Sequence, residues 1–140
     1  MASITRDASA HWEGDLKTGQ GQLSTPQSGL MDNTRYGFNS RFGDVKGTNP
    51  EELIAAAHAG CFAMKLSFVL GGAGFTPDSL DVTSTITLEE GGITSSHLVL
   101  KASIPGISAE KFKECADDAK ANCPVSKVLN AAITLERPLL

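Results

Sequence analysis

The feature that most constrains this chain is one run, from Thr48-Asn49-Pro50-Glu51-Glu52-Leu53 through His58-Ala59-Gly60-Cys61-Phe62 to Leu70, closed by Gly71, Gly72 and Gly74. Asn49 suits an N-cap, and Pro50 suits the first helical position, where a missing N–H costs nothing. Glu51 and Glu52 fall in the first turn, favourable at the positive end of a helix, and Glu52 stands three residues after Asn49 as a capping box requires. The glycines supply the stop. A helix over 50–70 is therefore expected. The apolar stretch Leu53–Leu70 approaches membrane-spanning length, but His58, Lys65, Ser67 and the many alanines fit a buried core helix better.

The other elements arrange themselves around this helix. Strands are expected at Ala8–Trp12 and Gln22–Thr25, with a turn across Gly14–Gly19. The alternating aromatics of Tyr36–Phe42 suit a third strand, followed by a loop over Gly43–Asn49. Leu80–Glu89 and Ile93–Ile104, rich in Val, Ile, Thr and Leu and separated by Gly91-Gly92, form a hairpin. Ser108 caps a helix from Ala109 to about Ala121, a short helix follows Pro124, and Ala132–Glu136 is a last strand. No repeat or long linker divides the chain, so residues 1–140 read as a single domain. Strands in antiparallel groups with helices between them indicate an α+β fold.

Composition narrows the function. A net charge of −4 with twelve scattered Lys and Arg residues offers no basic face for a phosphate backbone, which excludes nucleic acid as the main partner. Residues 1–18 lack the apolar segment of a secretory signal, so a soluble, cytoplasmic protein that uses no membrane is expected. Its three cysteines, Cys61, Cys115 and Cys123, are then reduced at rest, with one pair and one bystander as the natural partition. There is no Cys-x-x-Cys pair, no metal-ligand spacing among His11, His58 and His97, and no phosphate loop, so neither metal nor cofactor is implied.

A lone cysteine is more often packing than chemistry. Two features change that for Cys61 and Cys123. His58 and Lys65 share the helical face of Cys61, and either one is expected to lower its thiol pKa by stabilising thiolate; Ala57 and Gly60 leave space beside the sulfur. Cys123 directly precedes Pro124 and so occupies an N-cap, where backbone N–H groups favour thiolate. Cys115, mid-helix, reads as structural. Arg41, between aromatics, and Glu51, at a helix start, each have an ordinary reading as an exposed strand residue and a helix-start acid.

The segments His11-Trp12-Glu13-Gly14-Asp15, Tyr36-Gly37-Phe38-Asn39-Ser40-Arg41-Phe42, Thr48-Asn49-Pro50-Glu51-Glu52-Leu53, His58-Ala59-Gly60-Cys61-Phe62 and Cys123-Pro124-Val125-Ser126 together resemble the osmotically inducible protein C family. That family is related to the organic hydroperoxide resistance proteins. The likeness runs in order over nearly the whole chain, with Gly60 where an alanine is usual. It implies a cysteine-based peroxidase acting on hydroperoxides, preferably organic ones, built as an intertwined homodimer with a long central helix. By motif, Cys61 is the peroxidatic cysteine, Cys123 the resolving one, and Arg41 and Glu51 the paired charges beside the reactive sulfur. The implied cycle runs through a Cys61 sulfenic acid and a Cys61–Cys123 disulfide, reduced by an external dithiol. Glu51 and Cys61 lie ten residues apart, about 15 Å along one helix, so a composite site across two subunits is expected. Two rival classes are a stress-induced binding protein with an apolar dimer cleft and a general thiol–disulfide oxidoreductase.

Overall fold

Proline at the first turn, two glutamates behind it and an unbroken run of helix formers produce α2, Pro50–Gly72, the longest element of the chain. It is seen in a computed structural model that describes residues 3–138. The helix ends at the glycine run, with Phe75 N–H bonded to the Leu70 carbonyl and Gly74 in the left-handed region at φ +89°. His58, Phe62, Leu66 and Leu70, each four residues from the last, are its buried stripe. Leu53, Met64 and Phe68 stand exposed. The expected core helix is thus buried along one stripe only, and it is long and apolar enough to cross a membrane.

The chain divides into two compact units, residues 1–50 and 51–140. In the first, β1 (Ser9–Glu13), β2 (Gln20–Ser24) and β3 (Thr34–Tyr36) form an antiparallel sheet in sequence order. Trp12 and Tyr36 sit opposite Gly21 from either side and meet edge to face over it, with ring centroids 5.7 Å apart. A Cβ on Gly21 would fall 2.5 Å from Tyr36 and 2.6 Å from Trp12, so the aromatic contact requires glycine there. The third strand expected over Tyr36–Phe42 is a strand only up to Tyr36. Residues Phe38–Phe42 form a short helix, α1. The alternation of aromatics conceals an i,i+4 pair, Phe38 and Phe42, whose rings lie 5.0 Å apart. Ser40 closes the turn by accepting the Gly37 N–H at 2.9 Å.

The second unit carries α2 and a sheet ordered β4-β5-β6, formed by Ser79–Glu89, Gly92–Ser103 and Ala132–Glu136. The β4–β5 hairpin turns at Glu90 and Gly91, both with positive φ, 50° and 80°, as a tight two-residue hairpin demands. β6 joins β5 in parallel, a departure from all-antiparallel pairing. The reason is the connection: α3 (Ala109–Asn122) and α4 (Pro124–Val128) intervene, and a crossover of that length returns a strand in the same direction. Ser108 caps α3 by accepting the Lys111 N–H at 3.1 Å. Leu98, Leu100 and Ala102 of β5 pack in one core with Phe62, Leu66 and Leu70 of α2 and Phe112, Cys115, Ala116, Ala119 and Cys123. Two small sheets with a long helix make the fold α+β.

Candidate active site

Two thiols of the second unit approach each other where α2 meets the head of α4. Cys123 is the N-cap of α4, its sulfur accepting the Ser126 N–H at 3.4 Å, because Pro124 fixes the first helical position behind it. Cys61 lies on the flank of α2's buried stripe, partly exposed, close enough to Cys123 for the two thiols to influence each other's ionisation. The preceding backbone N–H of the same turn, that of Val125, favours the Cys61 thiolate. One turn of backbone therefore serves both sulfurs. Nothing lies within 4 Å of where a Cβ on Gly60 would stand, so the approach beside Cys61 is open. Cys115 is buried in the core, where burial pushes its thiol up.

The electrostatics correct one expectation. Burial raises the Cys61 thiol above its ordinary value, and the Val125 N–H, with a weaker pull from Lys65, acts against it. Lys65 also lies over the Phe68 ring, 5.1 Å from its centroid. His58 lends no charge: it is fully buried, and desolvation lowers its pKa, so the ring is neutral. Both ring nitrogens are committed, Nδ1 to Ser96 Oγ and Nε2 to Ser126 Oγ at 2.8 Å. Sequence reasoning missed Ser84 and Ser96, whose hydroxyls lie 2.9 Å apart. The available signal was Ser96 itself, which shares the inward parity of Leu98 and Leu100 on β5.

Glu51 stands in the first turn of α2, ten residues before Cys61 on an unbroken helix. That places the two about 15 Å apart along its axis. In the first unit, Arg41 belongs to α1 and not to a strand. Its guanidinium lies over the Phe42 ring, 5.1 Å from the centroid. Trp12, Leu16, Tyr36, Phe38 and Pro50 line the same small cavity of about 60 Å³.

The family described as OsmC-like protein matches residues 43–137. The chain is 50% identical over 141 residues to Peroxiredoxin OsmC of Escherichia coli (strain K12), covering 98% of each chain. It is 30% identical over 95 residues to Organic hydroperoxide resistance protein-like 1 of Staphylococcus saprophyticus, covering 65% of this chain and 67% of that one. Among solved structures, the organic hydroperoxide resistance protein OhrB of Bacillus subtilis superposes with a TM-score of 0.66 at 26% identity, covering 94% of this chain and 98% of that one. A fold of two small sheets with a long helix, two adjacent thiols, and half identity to a peroxiredoxin from end to end lead to one conclusion: the chain belongs to the OsmC-like protein family and is a peroxiredoxin-like enzyme.

Proposed function

We propose that the protein reduces organic hydroperoxides, and hydrogen peroxide more weakly, to the corresponding alcohols or water. The observation that carries this reading is the pairing of Cys61 with Cys123 beside an open approach. The Cys61 thiolate attacks the O–O bond, the alcohol departs and a sulfenic acid remains on Cys61. Cys123 condenses with it, releasing water and forming a disulfide. An external dithiol then returns both thiols.

Burial opposes the Cys61 thiolate, and Lys65 is the weakest of the influences on it, so the reaction calls for a stronger cation. Arg41 is assigned that role, stabilising the thiolate and the charge that develops on the departing oxygen. Glu51 holds the guanidinium in a bidentate grip. With Glu51 about 15 Å along α2 from Cys61, the site is composite, assembled in an intertwined homodimer. Two observations support a second copy: α2 leaves Leu53, Met64 and Phe68 exposed, and among residues 3–50 only Gly21 and Thr48 are buried. The whole of residues 1–140 then works as one family domain in the cytoplasm, which the end-to-end match to a curated relative supports.

Stopped-flow oxidation by tert-butyl hydroperoxide against hydrogen peroxide tests the reading. A faster reaction with the alkyl substrate, a Cys61–Cys123 disulfide by mass spectrometry and loss of turnover in Cys61→Ser are expected. Undiminished peroxide consumption by Cys61→Ser would overturn it.

A further inference from the structure

The core of the second unit is apolar except for one line of side chains. Ser84 Oγ reaches Ser96 Oγ at 2.9 Å, Ser96 reaches His58 Nδ1, His58 Nε2 reaches Ser126 Oγ at 2.8 Å, and Ser126 Oγ reaches Cys123 Sγ at 3.4 Å. His58, Ser96 and Cys123 are fully buried. The line thus runs from the hairpin to one of the two thiols.

Packing alone does not account for it. Position 58 belongs to the stripe whose other members are Phe62, Leu66 and Leu70. Another apolar residue there would fill the stripe without the cost of burying a polar ring and its partners. The imidazole also does not serve Cys61, its neighbour on α2; through Ser126 it addresses Cys123.

We propose that His58 and Ser126 are positioning residues that carry the proton off Cys123 when it attacks oxidised Cys61. The inference rests on the assignment of Cys61 as peroxidatic and Cys123 as resolving. Only thiolate attacks sulfur, so the step needs a proton acceptor beside a thiol that is itself fully buried. At rest the Cys123 S–H donates to Ser126 Oγ, the Ser126 O–H donates to His58 Nε2, and His58 Nδ1–H donates to Ser96 Oγ. Ser96 thereby fixes the tautomer. On attack, the thiol proton passes to Ser126 Oγ as the hydroxyl proton of Ser126 passes to Nε2. The new S–S bond forms, the Cys61 S–O bond breaks, and the leaving hydroxide takes the imidazolium proton as water. The sulfenic acid is reduced and Cys123 oxidised; the hydroperoxide has already supplied the oxidising equivalent. Titratable groups that bear on the line are Cys123 at the head of α4, Cys61 and Lys65 on α2, and Asp117 and Lys120 of α3, which line one cavity with Ser126. β4 and β5 meet it with the Ser84 and Ser96 hydroxyls.

Single-turnover kinetics on the full chain separate the two chemical steps. Sulfenic acid is followed by dimedone trapping and disulfide by acid quench and mass spectrometry, after tert-butyl hydroperoxide. In Ser126→Ala and His58→Gln, sulfenic acid formation stays within about twofold of the wild type, while condensation slows about 100-fold, the scale of general base catalysis. Ser126→Thr restores the hydroxyl and the rate. In Ser126→Ala the condensation rate climbs with hydroxide concentration across pH 6–9, whereas the wild-type rate levels off once the imidazole is neutral. Condensation at the wild-type rate in both impaired variants, folded by near-ultraviolet circular dichroism, would overturn the proposal. So would equal slowing in Ser126→Thr, or parallel loss of sulfenic acid formation. Should the wild type itself give sulfenic acid on Cys61 but no bond to Cys123, the resolving role fails first and the relay with it.

Discussion

The two compact units differ in what they bury. The second contains a continuous core from α2, β5 and α3, with Phe62, Leu66, Leu70, Leu98, Leu100 and Phe112 all at 2% exposure or less. The first has a sheet of three short strands, and of its described residues only Gly21 and Thr48 are buried. Strand pairing gives the first unit its shape, but backbone hydrogen bonds alone stabilise little against the entropy of ordering a chain. The second unit thus holds both its own core and the thiols, while the described residues of the first bury almost nothing within it. Helix α2 repeats the contrast on a smaller scale, with one stripe covered and another, Met64 and Phe68, exposed at 77% and 73%.

The largest test of that contrast is Phe62→Ala. It empties a fully buried site and is expected to cost about 3–5 kcal/mol of unfolding free energy in denaturant titrations. A cost below about 1 kcal/mol would mean the second core is not what holds the fold. Phe68→Glu comes next. As an anchor between two copies, Phe68 is expected to contribute about 2 kcal/mol or more to association, so the variant should shift sedimenting species to single chains. Hydrogen exchange in β1–β3 should then lose its dependence on protein concentration. A wild type that sediments as a single chain at all concentrations would remove the second copy from the account.

A smaller effect distinguishes the polar line from the apolar core around it. His58 has a folded pKa below the ordinary 6.5 because burial disfavours its charged form. The unfolded state therefore binds the extra proton first. Stability is complete above about pH 6.5 and falls as the pH drops below it, by at most about 1.4 kcal/mol per pH unit for this one group. His58→Gln should flatten that part of the acid limb in thermal melts across pH 4–8. Smallest is the exposed pair Lys113–Asp117 on α3, 2.7 Å apart. Lys113→Ala should change stability by only about 0.3–0.5 kcal/mol, less in high salt.

Much of this protein was legible from local chemistry. The Asn-Pro-Glu-Glu start and glycine stop of α2, the β4–β5 hairpin (expected to turn at Gly91-Gly92 and turning one residue earlier), the Ser108 cap and Cys123 before Pro124 each act within a few residues, where backbone sterics and capping leave little choice. The two thiols of the candidate site were legible for the same reason, since both sit at marked positions on helices. Local pattern misled at Phe38–Phe42, because five residues with two aromatics satisfy a strand period and an i,i+4 helical contact alike.

Long-range packing decided the rest. The sequence by itself determined the long helix, the hairpin and the helix caps, the α+β class and which cysteines stand apart. Only the tertiary structure decided that β6 runs parallel to β5, that burial raises the Cys61 thiol, and that His58 faces Ser126 and Cys123 instead of charging its neighbour on the helix. Desolvation and hydrogen-bond partners at 38 and 68 residues' separation set the state of that imidazole, and neither is encoded in the residues beside it.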